Sequence, residues 1–175
     1  AARTTSGRGP PTCRCCTPDA MLSVMDAPIL RTERLVLRPL EPSDAPRVQE
    51  LAGAREVAAN TLTIPHPYED GMAEAWIDEV GELAAKGEKV VFGVTTEADG
   101  LVGVAGLDLE PEHHRAELGY WIGVPHWNRG YATEAVRAVL DFGFGMLALH
   151  RIHARVFPRN PASSRVLAKL GLVHE

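Results

Sequence analysis

The stretch WIGVPHWNRGYATEAVRAVLDFGF, Trp121–Phe144, decides how this chain folds. It opens like a strand, passes a turn ending in Asn128, Arg129 and Gly130, and closes as an apolar helix. Ala132, Ala135, Val136, Val139, Leu140 and Gly143 recur at i, i+3, i+4, i+7, i+8 and i+11, a one-sided stripe that needs covering. The start of that helix is odd, because Gly130 stands where Ser or Asp would ordinarily cap. A glycine there lets something approach the backbone closely, and the unpaired N–H groups of the first turn form a ready anion site. A merely tight strand-to-helix turn is the competing reading.

Outward from this stretch, periodicity sets the rest. Glu33–Leu40 alternates Leu35 and Leu37 against Val36 and Arg38 and reads as a strand ended at Pro39. Ser43 and Asp44 open a short helix carrying Val48 and Leu51 and closed near Gly53. Met72, Trp76, Val80 and Leu83 keep helical spacing up to Gly87. Two apolar strands then meet through Asp99-Gly100, a strong hairpin signal. Arg115–Val124 alternates again, with Ala116, Leu118, Tyr120 and Ile122 on one face. After the central helix come a strand over Arg151–Phe157 and a last helix. That helix has Asn160 as cap, Pro161 at its first position, Val166, Leu167 and Leu170 as its stripe, and Gly171 past its end. The order is β-α-α-β-β-β-α-β-α, a mixed α/β sheet with helices on its faces.

The totals bound the function. At 175 residues the chain suggests one domain, against a usual allotment of about 150. No apolar run approaches the roughly 20 residues that span a bilayer, so no membrane partner is expected. A net charge of −5 argues against nucleic acid, which calls for a basic stripe. Cys13, Cys15 and Cys16 supply neither four zinc ligands nor a disulfide framework, so no metal is expected.

Residues 1–24 are rich in Arg, Thr, Ser, Gly and Pro and have no acid before Asp19. They read as a disordered leader, or as sequence upstream of a start at Met21 or Met25. Residues 25–175 form the folded domain. With no apolar h-region, secretion is not expected and a cytoplasmic location is. The end, KLGLVHE, stops just after a helix cap where such a chain would enter another strand, so truncation at the C-terminus is expected.

Three blocks in this order, Ile29–Leu40, Ala116–Ala135 and Asn160–Leu172, resemble the GNAT superfamily of N-acetyltransferases. More closely they resemble its ribosomal-protein N-terminal acetyltransferase, or RimJ/RimL-like, branch, from about Ile29 to Glu175. The resemblance implies the acyl-CoA N-acyltransferase (GNAT) fold, here lacking its C-terminal strand or strands. It implies acetyl-CoA as donor, with no metal, and direct transfer of the acetyl group to an amine. In the family the turn at this position holds the pyrophosphate of coenzyme A. Backbone N–H groups around Arg129, Gly130, Tyr131, Ala132 and Thr133 would then point at it, Gly130 leaving room and Arg129 adding charge. The strand end from Ile122 to Val124 would pair with the pantetheine arm, as a peptide adds to a sheet edge. Trp127 stands where the superfamily usually has Gln or Arg, a departure common in this branch.

Asn160 matches an asparagine that contacts the cofactor. Seven residues later many members carry a tyrosine that protonates the leaving thiolate, but here that position is Leu167. The branch instead places a serine three residues after the asparagine, which is Ser163, as acid or as a hydrogen-bond donor to the sulfur. An ordinary N-cap and an ordinary first-turn serine remain the plain readings of these two. Glu117 is the candidate base for the amine, against a solvated strand carboxylate, and His113 and His114 are alternatives. In part of the branch the base lies on a strand beyond this chain's last helix. An α-amine titrates near ~8 and lysine near ~10.4, so a protein N-terminus needs less help to lose its proton. Glu69, Asp70 and the loop at His66 are a further charged cluster that would attract a cationic acceptor, or simply be solvated. The reading is therefore an N-acetyltransferase acting on a protein N-terminal α-amine, as monomer or homodimer. A small-molecule amine acetyltransferase and a non-catalytic acyl-CoA-binding domain are the alternatives.

Overall fold

The computed structural model describes residues 27–175; the leader read at residues 1–24, its three cysteines and Met25 lie outside them. Six strands form one sheet in chain order: β1 (Leu30–Arg31), β2 (Val36–Pro39), β3 (Lys89–Thr96), β4 (Gly100–Glu110), β5 (Arg115–Ile122) and β6 (Arg151–His153). Neighbours from β1 to β5 are antiparallel, and β5 with β6 is parallel. Among the described residues five α-helices cover the faces: α1 (Ala45–Ala52), α2 (Arg55–Ala58), α3 (Met72–Ala85), α4 (Tyr131–Gly145) and α5 (Pro161–Lys169). This is the mixed α/β order read from the sequence, with β1 and α2 added. Both are too short to show a period. Among the described residues no helix is long and apolar enough to cross a membrane.

The sheet is buried on both sides. Leu35, Leu37, Phe92, Leu107 and Leu118 face α4 and α5 in the larger core. Leu101, Val91 and Val104 face α1 and α3 in the smaller clusters. The α4 stripe is as spaced, except that Ala132 is only half-buried and Phe142 joins it, edge-on to Phe92 with ring centroids 5.5 Å apart. Gly143 belongs to the stripe because a Cβ there would meet Ile152 Cδ1 at 2.7 Å. A larger residue there would have to displace the Ile152 and Leu107 side-chain ends.

One expectation is corrected. Arg151–Phe157 is strand only as far as His153, because its parallel pairing with β5 ends at Glu117. Beyond that point β5 and residues 154–157 separate and line a cleft between them. Ser43 and Asp44 open α1 as read, Asp44 at the N-cap position, but its side chain does not cap the helix. Asp44 is 7% exposed and ends a 3-10 turn over Pro42–Asp44, with its carboxylate turned to Arg38 of β2 at 2.8 Å from each of two guanidinium nitrogens. The Glu41 N–H donates to it as well, at 2.9 Å. Burial alone would raise the Asp44 pKa, but Arg38 and the Glu41 N–H outweigh it and hold the carboxyl below its ordinary range.

Replacing Asp44 with Ala leaves the Arg38 guanidinium without its partner. The variant is expected to lose about 1–3 kcal/mol of stability, read from urea denaturation at neutral pH.

Candidate active site

The turn between β5 and α4 is held by its own backbone and by one side chain. His126 N–H donates to Gly123 O at 2.9 Å and Trp127 N–H to Val124 O at 3.2 Å, a 3-10 turn started by Pro125. The Trp127 indole N–H then donates to Ile122 O at 2.6 Å, tying the turn back onto the strand end. The carbonyls of Ile122 and Val124, expected to receive a ligand, thus already have internal donors. Asn128 (φ 61°) and Gly130 (φ 82°) both take the left-handed conformation that swings the chain into α4. No side chain caps α4, so its first N–H groups point outward. The start of α3, at Gly71, is also uncapped, so this feature alone does not make a site.

What distinguishes the α4 start is a cationic clamp. A Cβ on Gly130 would meet Arg34 Nη2 at 3.2 Å, so the close approach that glycine permits is that of Arg34. Arg34 Nη1 donates to Arg129 O at 2.9 Å, and Nε and Nη2 reach Glu134 Oε2 at 2.8 and 2.6 Å. Thr32 Oγ1 and the Arg34 N–H donate to Glu134 Oε1 at 2.6 and 2.9 Å. The guanidinium also lies 5.1 Å from the Tyr131 ring centroid. Burial pushes the Glu134 pKa up, and the bonds from Thr32 and Arg34 more than reverse it. The Glu134 charge at the helix start is neutralised by Arg34, which leaves the turn open to an anion. The Arg129 side chain is half exposed, 3.8 Å from Asp99; Ala132 packs inward and Thr133 lies on the outer face beside Arg34. Uncapped N–H groups, bare backbone and two flanking guanidinium groups suit a polyphosphate such as the pyrophosphate of coenzyme A.

His126, beneath the turn, is 4% exposed. Its Nδ1 has no hydrogen-bond partner and lies 3.7 Å from Asp99 Oδ2, while Nε2 lies 3.4 Å from Arg47 Nη2. Burial lowers its pKa, with Arg129 and Arg47 adding to that and Asp99 and Glu50 opposing.

The cleft has a volume of about 690 Å³. It is lined from both faces of β5, by Glu117, Gly119 and Trp121 on one and Leu118 and Tyr120 on the other, and by Ala154–Phe157 across from them. It therefore passes through the sheet where β5 and the chain after β6 part. Tyr68, Trp76, Ile64 and Met72 complete an apolar wall on the α3 side. Glu117 opens into it, its Oε1 accepting from Arg155 Nε at 2.7 Å and its Oε2 3.9 Å from His153 Nε2. Asp108, also lining it, pairs with Lys89 at 2.8 Å.

On the α5 side Asn160 caps the helix, its Oδ1 accepting from Ser163 N–H at 3.1 Å. Ser163 Oγ lies 2.7 Å from the Tyr120 hydroxyl. Leu167 is 8% exposed and belongs to the core. His113 and His114 stand away from the cleft in the turn after β4, His114 edge-on to His150 at 5.6 Å. Asp70 accepts from Gln49 at 2.7 Å. Among the described residues no group of three or more His, Cys, Asp or Glu is placed to hold a metal ion.

Arg34, Tyr120, Trp127's indole bond and His126 escape the sequence reading. Alternation shows which face Tyr120 takes but not the serine that meets it. Arg34 stands four residues before Arg38 in an arginine-rich stretch, and nothing local marks which arginine turns to the distant helix.

A family model described as an acetyltransferase (GNAT) domain matches residues 34–173. An N-acetyltransferase of Bacillus licheniformis is 36% identical over 149 residues, 83% of each chain. The [ribosomal protein uS5]-alanine N-acetyltransferase of Escherichia coli is 29% identical over 153 residues, 83% of this chain and 78% of that one. The spermidine N-acetyltransferase of Vibrio cholerae, solved with CoA and spermine, superposes with a TM-score of 0.71 at 26% identity, over 82% of this chain and 83% of that one.

Arg34→Gln releases the clamp while keeping a polar side chain. It is expected to weaken acetyl-CoA binding about tenfold, the loss of one charge-assisted contact set, in calorimetric titration of a folded variant. His126 gives a pH signature. Its folded pKa is depressed, so its contribution to stability is full above the unfolded value near ~6.5 and is lost as pH falls through the folded value. His126→Asn is expected to flatten the fall in urea midpoint between about pH 7.5 and about pH 5.5 relative to wild type.

Proposed function

The chain belongs to the GNAT acetyltransferase family, and on that premise we propose that the amine it acetylates is a protein N-terminal α-amine, as in the RimJ/RimL-like branch. Membership makes it an acetyl-CoA-dependent enzyme that transfers acetyl to an amine. The observation that carries the finer reading is the state of the cleft carboxylates. Glu117 and Asp108 are each already paired with a cation, and the remaining wall is mostly apolar and aromatic. A polyamine needs several unpaired carboxylates along its length, whereas a single α-amine needs one acceptor for one proton. The α-amine is also the easier nucleophile: roughly a tenth of it is neutral at pH 7, against far less than a hundredth of lysine.

In this reading the α4 turn, with Arg129, Gly130, Tyr131, Ala132 and Thr133, holds the pyrophosphate, and Asn160 the pantetheine. Ile122 and Val124 border that arm, sharing carbonyls that Trp127 already engages. Acetyl-CoA supplies an activated acetyl thioester. Glu117 takes the proton of the entering amine on the α3 face, exchanging its bond from Arg155 to do so. Ser163 donates a hydrogen bond to the sulfur from the other face. The cleft through the sheet lets these two groups act on one reacting centre.

A second reading, a small-molecule amine, draws on the likeness to the spermidine enzyme and on Glu79, which lines the cleft. An acceptor panel separates them. Short peptides with free α-amines are expected to exceed spermidine in kcat/KM by about tenfold, one charge-pair's worth of discrimination, and Glu117→Gln to lower kcat about 100-fold at neutral pH. A preference for spermidine would overturn the α-amine assignment.

A further inference from the structure

The helix position at which the resemblance would put a tyrosine acid holds Leu167, which is buried in the core. A tyrosine hydroxyl reaches the same helix from another element. Tyr120, on β5, places its OH 2.7 Å from Ser163 Oγ and 3.4 Å from Ser163 O. Tyr120 lines the cleft, and Ser163, half-buried behind it, meets the cleft through the Tyr120 hydroxyl. The serine cannot easily shift, because its N–H is held by Asn160 Oδ1 and Pro161 fixes the first turn.

The direction of this bond follows from the two groups. A phenol is the better donor and an aliphatic hydroxyl the better acceptor, and the other acceptor open to the Tyr120 proton, Ser163 O, is farther at 3.4 Å, which favours donation from Tyr120 to Ser163 Oγ. Burial raises the Tyr120 pKa, against a smaller lowering by Ser163, and keeps the phenol protonated throughout the working range. Ser163 Oγ then has one acceptor direction filled, and its own proton must point elsewhere. The direction left to it is the partly open one. Accepting from Tyr120 also polarises the Ser163 O–H and makes it a stronger donor.

We propose that Tyr120 is a positioning residue, which donates to Ser163 Oγ so that the single proton of Ser163 is aimed at the thioester sulfur of bound acetyl-CoA. The inference rests on Ser163 facing that sulfur, as in the proposed function. During transfer the amine nitrogen bonds the acetyl carbon and gives one proton to Glu117. The C–S bond breaks with its electron pair passing to sulfur. Ser163 stabilises that charge through its hydrogen bond, and water in the cleft supplies the proton the thiolate finally takes. Tyr120 keeps its proton throughout, so no further acid or oxidant is needed.

The test compares wild type with Tyr120→Phe, Ser163→Ala and the double variant. The readout is thiol release from acetyl-CoA with whichever acceptor of the panel reacts fastest, and thermal melts check folding. Tyr120→Phe removes one oxygen and keeps the ring. It is expected to lower kcat about tenfold while KM for acetyl-CoA stays within about twofold, a split that loosened packing would not give. The double variant is expected to be no slower than Ser163→Ala, because the tyrosine acts only through the serine. Full activity of Tyr120→Phe beside a crippled Ser163→Ala overturns the inference alone, and so do losses that multiply in the double variant. Full activity of both single variants overturns the serine reading beneath it.

Discussion

The site depends on one failure of pairing. β5 and β6 run parallel from Arg115 and Arg151 to Glu117 and His153, and then part. A sheet is ordinarily closed to ligands in its own plane, because the interstrand hydrogen bonds leave no room. Here three residue pairs anchor the two chains, and beyond them the backbone groups on both sides are left to line a cleft. The anchoring pairs are needed as much as the gap, since Ala116 and Ile152 are buried against α4 and fix where the separation begins. Glu117 sits at that fork, the last residue of β5 paired with β6, with its carboxylate opening into the cleft.

The turn at the end of β5 places a second constraint on the same region. The chain must leave a strand and enter a helix while keeping the helix start bare. Nothing within the turn can supply a cap, since Asn128 and Gly130 are committed to left-handed geometry. The fold stabilises it from outside. Trp127 ties it to the strand behind, and Arg34 reaches over from the β1–β2 connection to grip both Arg129 O and Glu134. The first-turn acid would by itself repel a phosphate. Paired with Arg34, it becomes part of the scaffold and the N–H groups stay available.

What the sequence disclosed and what it withheld follow from distance along the chain. The α4 stripe, the Asp99-Gly100 hairpin and the Asn160-Pro161 helix start are written in neighbouring residues, and each stands in the structure. The turn at Gly130 was legible as a special place for the same reason, but the partner of its bare Cα was not. Arg34 and Glu134 are separated by 100 positions, and Tyr120 and Ser163 by 43. Residue type alone gave no reason to pair them. Asp44 opens α1 as its type suggested, but the use of its carboxylate was hidden: Arg38 lies across from it on β2, and a bidentate ion pair is stronger than a cap. The short extent of β6 was hidden too, since Ala154–Phe157 are as apolar as strand residues and only the loss of a partner stops them.

The burial of Leu167 bears on how the chemistry is distributed between elements. A phenol at that place on α5 would be directed into the core formed with α4, and its hydroxyl would need a buried partner or would pull the helix outward. Leucine closes the core instead and lets α5 pack down, with Ser163, one turn earlier, against the hydroxyl of cleft-lining Tyr120. A serine is too short to reach far and too free in its rotor to point reliably. A longer, stiffer side chain on the neighbouring strand removes both defects, because the Tyr120 ring is held by the core on one side and its hydroxyl ends at the serine. The proton-bearing group and the group that orients it thus come from two different elements, α5 and β5. Their hydrogen bond joins β5 to α5 close to where the sheet has stopped doing so.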